Sequence, residues 1–234
     1  MNRGTPTVSV IIPFYNAALF IAEAIASILS QDPCPQEIIA VNDGSTDDGA
    51  AGVAALGRDD PRVRLLSQPN QGVATAVNTG LAHARGQLIA FLDADDLWLP
   101  GKQALQLAAL DADPALDMVF AHTRQFLWRM DPDTGAVHQE ELPGVYQGIV
   151  RSTMLARRAV FDRVGLFEPD PHLNDFFVWY ARAQDLGVTM RLLPEVVHLR
   201  RIHGQNEGIV RRDSQRRRHL QSLKTVLERR RQSG

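Results

Sequence analysis

Short, fully apolar segments alternate with helical patterns over the first hundred residues, and this alternation constrains the fold more than any other feature. Strands are predicted at Val8–Ile12, Glu37–Val41, Arg62–Leu66 and Leu88–Leu92. Helical patterns separate them, among them one over Val73–Ala84. Strands that are apolar along their whole length are typical of a parallel sheet covered by helices on both faces. The sequence therefore predicts a doubly wound α/β fold with a mostly parallel central sheet.

Polar residues after the first two strands predict where the following helices begin. Asn16 is placed to cap a helix that runs through Ile21 to Leu29. Ser45 is placed to cap the next helix, with Asp47 and Asp48 in its first turn, where a carboxylate is favoured by the helix dipole.

The second half of the chain is less regular, and we expect it to form a smaller region of mixed structure. It is predicted to contain helices at Lys102–Leu110, Arg157–Val164 and Asp175–Leu186, strands at Asp117–Phe126, Val188–Leu193 and Val196–Ile202, and a turn over residues 131–135. Neither a repeat nor a flexible linker interrupts it. The sequence therefore predicts one domain over residues 1–207, followed by a basic helical tail over 208–234.

Charge is distributed unevenly along the chain. Residues 1–195 hold 24 acidic and 14 basic side chains, whereas residues 196–234 hold 3 acidic and 11 basic ones. The acidic globular part argues against nucleic acid as a ligand. In the tail, Leu220, Leu223, Val226 and Leu227 form a helical stripe. This stripe could pack on the core beneath a solvated basic face, or the tail could contact anionic lipid headgroups as a peripheral membrane element.

Two further observations bear on the compartment. The single cysteine, Cys34, excludes an internal disulfide framework, and no apolar stretch approaches the roughly 18–20 residues needed to span a bilayer. The segment Met1–Thr7 has no apolar signal region. We therefore expect a cytoplasmic protein, with the inner face of the membrane as the site of any peripheral contact.

The residues that could bind a ligand or a metal lie at the ends of the predicted strands. In an open α/β sheet, ligands bind beyond the carboxyl ends of the strands. Tyr15 and Asp43 follow the first two strands, where an aromatic ring could stack on a base and a carboxylate could accept its hydrogen bonds. The fourth strand runs into Asp93, Asp95 and Asp96. Clustered carboxylates need a compensating cation, and Mg²⁺ or Mn²⁺ commonly bridges such groups to a diphosphate.

Four consecutive segments resemble the signatures of family 2 inverting glycosyltransferases with the GT-A fold. They are residues 8–16 (VSVIIPFYN), 41–47 (VNDGSTD), 70–74 (NQGVA) and 91–96 (FLDADD). The resemblance implies a GT-A fold with a nucleotide-sugar-binding half over residues 1–105 and an acceptor half over 106–207. It also implies a metal-dependent hexosyltransferase that uses Mn²⁺ or Mg²⁺.

The resemblance further implies roles for individual residues on the donor side. Pro13 and Tyr15 would frame the nucleotide base, and Asp43 would bind the edge of the base. Asp93 would reach the ribose or support the metal, and Asp95 would ligate the metal on the diphosphate. Gly72 and Asn78 lie in the segment that lines the nucleotide pocket, although Asn78 could equally be a helix residue without ligand contact.

The catalytic base is expected in the second half. Family members usually carry a Glu-Asp pair at the start of a helix, and Asn174-Asp175 resembles this pair with Asn in place of Glu. We predict that Asp175 is the base, with a plain helix cap as the alternative for this residue and Glu168 and Asp170 as reserve candidates. His203 resembles a family residue that approaches the diphosphate or the metal, although a single histidine is more often structural.

The resemblance thus predicts transfer of one sugar from a nucleotide-diphosphate sugar, preferably a UDP-sugar, to a hydroxyl on a glycan, lipid-linked or other small acceptor. Two other functions remain open. A sugar nucleotidyltransferase would need a glycine-rich and basic phosphate loop after the first strand, and residues 13–16 (PFYN) do not supply one. A non-catalytic nucleotide-sugar-binding module is permitted by the altered Asn174-Asp175 pair.

Overall fold

The computed structural model describes residues 6–204, 206 and 212–233. Strands and helices alternate in its first half as predicted. They are β1 (Val8–Phe14), α1 (Ile21–Leu29), β2 (Glu37–Asp43), α2 (Gly49–Asp59), β3 (Val63–Gln68), α3 (Val73–His83) and β4 (Leu88–Phe91). The first three strands continue beyond their predicted ends, so that Asp43 is the last residue of β2 and not part of the loop that follows it.

The second half adds shorter and more irregular elements. They are β5 (Leu97–Trp98), α4 (Lys102–Ala112), β6 (Met118–Met130), β7 (Val137–Tyr146), a 3-10 turn (Arg151–Thr153), β8 (Leu155–Arg157), α5 (Arg158–Val164), α6 (Asp175–Asp185), β9 (Met190–Ile202) and α7 (Arg212–Ser233). The sequence does not predict β5 and β8, because two or three residues carry no readable periodicity. The turn predicted at residues 131–135 is confirmed as the tip of the β6–β7 hairpin.

Nine strands of the described chain form one sheet in the order β3-β2-β1-β4-β8-β6-β9-β5, with β7 paired to β6. β1 pairs in parallel with β2 and with β4, so that Val10 lies opposite Ile38 on one side and Ala90 on the other. β8 runs antiparallel between β4 and β6, whereas β6 and β9 are parallel. The predicted parallel half with a mixed second region is confirmed.

Both faces of the sheet are buried, which explains why its inner strands are mostly apolar. The polar Ser9 of β1 is buried as well, and its hydroxyl donates to Glu37 of β2 at 2.6 Å. Val10 and Ile12 of β1 pack with Ile25 and Val53 on the face that α1 and α2 cover. Ile11, between them in the strand, packs on the opposite face, which α3, α5 and α6 cover. Because successive side chains of a strand point to opposite faces, a strand between two helical layers has no polar side.

The loop before α1 differs from the prediction. Asn16 does not cap this helix, which begins at Ile21 and has Phe20 at its N-cap without a side-chain hydrogen bond. Asn16 instead has a positive φ of 50°, and its Oδ1 accepts a hydrogen bond from the backbone N–H of Thr46 at 2.8 Å. Asparagine is one of the few residues that adopt this backbone conformation readily.

The start of α2 also differs. Ser45 does not cap this helix, which begins at Gly49, and Asp47 and Asp48 precede its first turn. The Ser45 hydroxyl accepts a hydrogen bond from the N–H of Asn16 at 2.9 Å, and the Asp47 carboxylate accepts one from the N–H of Ala18 at 2.8 Å. The polar residues that resemble helix caps therefore join the loop after β1 to the loop after β2.

The C-terminal helix α7 packs against α6. Val226 is buried with Leu173 and Val178, whereas Leu220 and Leu227 of the predicted apolar stripe are exposed. The interpretation that the stripe packs on the core therefore holds for Val226 alone. The junction at residues 207–211, where the predicted tail begins, lies outside the described residues. Within the part of the chain that the structure describes, no helix has the length and apolar character needed to cross a membrane.

Candidate active site

The loops after β1, β2 and β4 meet at one edge of the sheet, because these strands are parallel neighbours. Tyr15 lies directly after β1, and its side chain is half exposed. Pro13 is buried within the strand itself. The ring of Tyr15 is therefore accessible to a planar ligand. The buried Pro13 can affect a ligand only by fixing the backbone at the end of β1.

Asp43 lies between these loops and organises the segment before α3. Its Oδ1 accepts hydrogen bonds from the Gln68 side chain at 2.8 Å and from the N–H of Gln71 at 3.0 Å. Its Oδ2 accepts one from the N–H of Gly72 at 2.8 Å, and Gly72 has a positive φ of 87°. These bonds hold the carboxylate in a fixed position at the strand edge.

Asp93 connects the acidic loop after β4 to the 3-10 turn. Its backbone N–H donates to the hydroxyl of Ser152 at 3.1 Å. The indole Nε1 of Trp98 donates to the carbonyl oxygen of the same serine at 3.0 Å. Asp93 and Trp98, at the two ends of the loop, are thus both hydrogen-bonded to Ser152 of the 3-10 turn.

Asp95 faces two residues that follow β9. Its Oδ2 lies 3.1 Å from His203 Nε2 and accepts a hydrogen bond from Asn206 Nδ2 at 3.0 Å. Burial disfavours the ionised form of this carboxyl group, but the hydrogen bond and charge of His203 outweigh it and lower the pKa of Asp95. The structure therefore brings together the two residues that the sequence predicts as metal ligands.

Asp96, unlike Asp93 and Asp95, is buried. His198 Nε2 lies 3.0 Å from its Oδ2, and the backbone N–H of Arg201 donates to its Oδ1 at 2.9 Å. Burial raises the pKa of Asp96, and the nearby charges of Asp95 and Asp93 act in the same direction. Asp96 fastens the acidic loop to β9.

The guanidinium of Arg201 supplies a permanent positive charge behind this loop. The side chain is fully buried between the rings of Phe20 and Phe126, with 4.9 Å from its central carbon to each ring centroid. Its Nε donates to the carbonyl oxygen of Asp95 at 2.8 Å, and Nη2 pairs with Glu23 at 2.6 Å. The guanidinium of Arg201 therefore fixes the backbone of the acidic loop at Asp95 and pairs with a carboxylate of α1.

The donor set at Asp95 is suited to a divalent cation. In the described ranges 6–204, 206 and 212–233, no cluster of three or more acidic, histidine or cysteine side chains could hold a metal ion. Asp95 and His203 contribute one oxygen and one nitrogen ligand at a single point. Mg²⁺ and related ions are often held by one or two protein ligands and completed by phosphate oxygens. The site thus fits a metal that arrives with a diphosphate.

Asp175 lies at the first position of α6, and its side chain is largely buried. The N-cap is Asn174, whose Oδ1 accepts a hydrogen bond from the N–H of Phe177 at 3.0 Å. The alternative of Asp175 as a helix cap is therefore excluded. Its Oδ2 accepts a hydrogen bond from Nη1 of Arg151 at 2.6 Å.

The reserve candidates for the base have other partners. Glu168 forms ion pairs with Arg182 at 2.9 Å and with Arg229 at 2.6 Å, and Asp170 is exposed. The side-chain Nδ2 of Asn78 donates to the carbonyl oxygen of Phe167 at 2.8 Å, and its Oδ1 accepts from the N–H of Phe167 at 3.0 Å. These bonds favour the interpretation of Asn78 as a helix residue that anchors this segment.

Several residues of the site are absent from the sequence prediction. Arg151 and His198 lie in segments without a family signature, and Arg201 lies in the segment with His203 that resembles the family but has no predicted role of its own. A usable signal was the acidic loop itself, since three carboxylates after a buried strand require nearby cations. The sequence does not show which of its 25 basic residues supply them.

Arg201→Met is expected to lower the free energy of unfolding by about 1–3 kcal/mol, because the carbonyl oxygen of Asp95 and the carboxylate of Glu23 would lose their hydrogen-bond donor. Urea unfolding followed by circular dichroism measures the change. Arg200→Met is the matched control. Arg200 is exposed, and its replacement should lower the free energy of unfolding by less than about 0.5 kcal/mol. Equal losses for the two variants would contradict the role given to Arg201.

Solved structures similar to this chain are glycosyltransferases. A mannosyltransferase from Pyrobaculum calidifontis, in complex with GDP-Man and Mn²⁺, superposes with a TM-score of 0.67 at 24% identity, covering 89% of this chain and 61% of that one. S. aureus TarS 1-349, in complex with UDP-GlcNAc, superposes with a TM-score of 0.69 at 18% identity, covering 86% and 60%. Likeness at these identities shows the shared GT-A fold.

Sequence relatives point to the same group. A chondroitin synthase of Pasteurella multocida is 29% identical over 98% of this chain and 24% of its own length. An uncharacterized glycosyltransferase of Rickettsia felis is 35% identical over 69% of this chain and 26% of its own length. The chain spans about a quarter of these curated relatives. The model of "Glycosyl transferase family 2" matches residues 9–165, and the chain therefore belongs to glycosyl transferase family 2.

Proposed function

We propose that this chain is a metal-dependent inverting hexosyltransferase that moves one sugar from a nucleotide-diphosphate sugar to a hydroxyl acceptor. One observation carries the proposal. Asp95, which pairs with His203, lies in the acidic loop after β4, and the N–H of Asp93 in the same loop bonds to Ser152, the neighbour of the Arg151 that pairs with Asp175. A donor-side metal site and an acceptor-side carboxylate are the two groups that such a transfer needs.

The donor is proposed to be a UDP-sugar, in line with the UDP-GlcNAc complex of the TarS structure. Tyr15 would stack on the base, Pro13 would frame it, and Asp43 would accept hydrogen bonds from its edge. Each carboxylate oxygen has two lone pairs, and Oδ2 of Asp43 accepts one hydrogen bond, from Gly72. Asp43 therefore keeps capacity for a ligand although it already fixes the loop.

A divalent cation, Mn²⁺ or Mg²⁺, would be held by Asp95 and His203 together with the diphosphate. When bound, it supplies positive charge for the departing diphosphate. Asp93 would bind the ribose. Mn²⁺ in the complex of the mannosyltransferase structure supports this assignment.

Asp175 would accept the proton of the acceptor hydroxyl as its oxygen attacks the anomeric carbon. The bond from that carbon to the diphosphate oxygen breaks on the opposite side, so the configuration inverts. Residues 1–105 would form the donor half and residues 106–207 the acceptor half. We propose a glycan or a lipid-linked sugar as the acceptor, since the chondroitin synthase relative acts on glycans by its name.

A non-catalytic nucleotide-sugar-binding module is the second candidate, because Asn174 stands where the family usually has Glu. Asn174 caps α6 through its side chain, which leaves the position of Asp175 intact. This observation favours a working enzyme. A sugar nucleotidyltransferase is disfavoured, since the loop after β1 carries no basic residue.

Replacing Asp175 by Asn is expected to lower sugar transfer by roughly 10²–10⁴-fold, because the acceptor proton would lose its base. The measurement is release of UDP from UDP-sugars in Mn²⁺ with a mixture of glycan acceptors. Thermal stabilisation by UDP and Mn²⁺ should stay unchanged in this variant. Asp170→Asn, a matched change of an exposed carboxylate, should keep full activity.

Three outcomes would contradict the proposal in different ways. Full transfer by the Asp175→Asn variant would place the base elsewhere. Binding of UDP without any transfer or hydrolysis by the wild-type protein would favour the binding module. No stabilisation by any nucleoside diphosphate, with or without Mn²⁺, would exclude the glycosyltransferase function.

The basic helix α7 supports a peripheral contact with the inner face of the membrane, and hence a cytoplasmic protein. Its inner side is fixed by ion pairs of Arg229 with Glu168 and of Arg230 with Asp185.

The outer side of α7 exposes Leu220, Leu223 and Leu227, whose spacing of three and four residues places them on one face. Exposed basic side chains lie near this face at Arg216, Arg217, Lys224 and Arg231. Apolar side chains flanked by cations fit an anionic lipid surface.

Binding to vesicles tests this contact. The full chain is expected to sediment with vesicles that contain about 30% phosphatidylglycerol and not with pure phosphatidylcholine, since each basic residue contributes about 1 kcal/mol near an anionic surface. The double variant Arg216→Ser/Arg217→Ser should bind at least roughly tenfold more weakly. The control Arg58→Ser/Arg85→Ser makes the same charge change at exposed sites elsewhere. Equal loss in both double variants, or no binding to either vesicle, would contradict the contact.

A further inference from the structure

Arg151 is a buried cation in the site to which neither the sequence nor the family match assigns a role. Its Nη1 lies 2.6 Å from Oδ2 of Asp175, and the two side chains are only 11% and 13% exposed. At this distance and burial the pair is a charge-assisted hydrogen bond that water screens little. Arg151 is therefore a fixed partner of the residue proposed as the base.

The backbone of Arg151 is held in place by the donor side of the site. The next residue, Ser152, accepts hydrogen bonds from the N–H of Asp93 and from the indole of Trp98. The carbonyl oxygen of Thr153 accepts one from Gln106 Nε2 at 2.7 Å. The 3-10 turn that carries Arg151 is thus fastened to the acidic loop, and the arginine side chain extends from there to α6.

The charges around Arg151 keep it cationic. Burial disfavours the charged form of Arg151. The negative charges of Asp175 and Asp93 favour it more strongly, and together they raise the pKa of Arg151. The guanidinium carbon also lies 5.5 Å from the centroid of the Phe167 ring. The position of the guanidinium is therefore determined on several sides by rigid groups.

We infer that Arg151 is a positioning residue that orients Asp175 for proton transfer, an inference that rests on the proposed function. It holds the carboxylate through Oδ2. Among the described residues, none donates a hydrogen bond to Oδ1 of Asp175, so this oxygen is available to the acceptor hydroxyl. A general base whose second oxygen is held by a fixed group follows the same logic as other oriented catalytic bases. Arg151 also fixes the distance between the donor loop and the base.

The variants Arg151→Gln and Arg151→Lys test this inference in the full chain. Arg151→Gln is expected to lower kcat by about 10²-fold, because a misplaced catalytic group can cost that much. The donor KM and the stabilisation by UDP with Mn²⁺ should change less than about twofold, since the donor site keeps its ligands. Arg151→Lys should recover part of kcat, because it restores the cation without the guanidinium geometry.

Arg163→Gln is the matched control. Arg163 pairs with Asp117 at the same distance of 2.6 Å, outside the site. This variant should leave kcat unchanged. If Arg151 has only a structural role, Arg151→Gln will lower the melting temperature and leave kcat of the folded fraction unchanged, which would overturn the inference.

Two other results would also overturn it. Weaker donor binding with an unchanged kcat would show that Arg151 acts on the diphosphate and not on Asp175. Lack of any recovery by Arg151→Lys, with both variants folded and donor binding intact, would show that the positive charge is not what orients the base. If Arg151→Gln does not fold, Arg151→Met, which also removes the cation, takes its place, and a kcat equal to wild type in that variant contradicts the inference. Failure of the proposed function is recognised separately, by full transfer in Asp175→Asn.

Discussion

The buried contact between the acidic loop and β9 is the constraint on which the rest of the site depends. Asp96 is held by His198 and by the backbone of Arg201, and the guanidinium of Arg201 holds the carbonyl group of Asp95. Three carboxylates after a strand would repel one another in the absence of these groups. Because these partners belong to the protein, the loop can be ordered before any ligand binds, and such pre-organisation lowers the cost of binding.

This contact also joins the two halves of the chain. The acidic loop belongs to the parallel half, whereas β9 belongs to the mixed half and is followed by His203. The 3-10 turn makes a second connection, through Ser152 to Asp93 and through Arg151 to Asp175. The acidic loop is thus held by two links, one to β9 and one to the 3-10 turn.

Much of the parallel half could be predicted from the sequence, because a strand covered on both faces must be largely apolar, as Val8–Ile12 is apart from Ser9. The carboxyl ends of such strands then indicate that Asp43 and the acidic loop lie at the same edge of the sheet. The helix caps were predicted wrongly, since Asn16 and Ser45 make hydrogen bonds equally well to a neighbouring loop. Arg151 could not be predicted, because its pairing with Asp175 depends on the packing of a 3-10 turn that leaves no periodic pattern.

Binding of Mn²⁺ in the presence of UDP tests the central claim most directly, namely that Asp95 is a ligand of a metal that arrives with the diphosphate. Electron paramagnetic resonance measures free Mn²⁺ as the protein is added. The account predicts that UDP strongly increases Mn²⁺ binding by the wild-type chain. It also predicts that Asp95→Asn abolishes this increase, whereas Asp48→Asn, at an exposed carboxylate, does not. Wild-type binding of Mn²⁺ and UDP by the Asp95→Asn variant would contradict it.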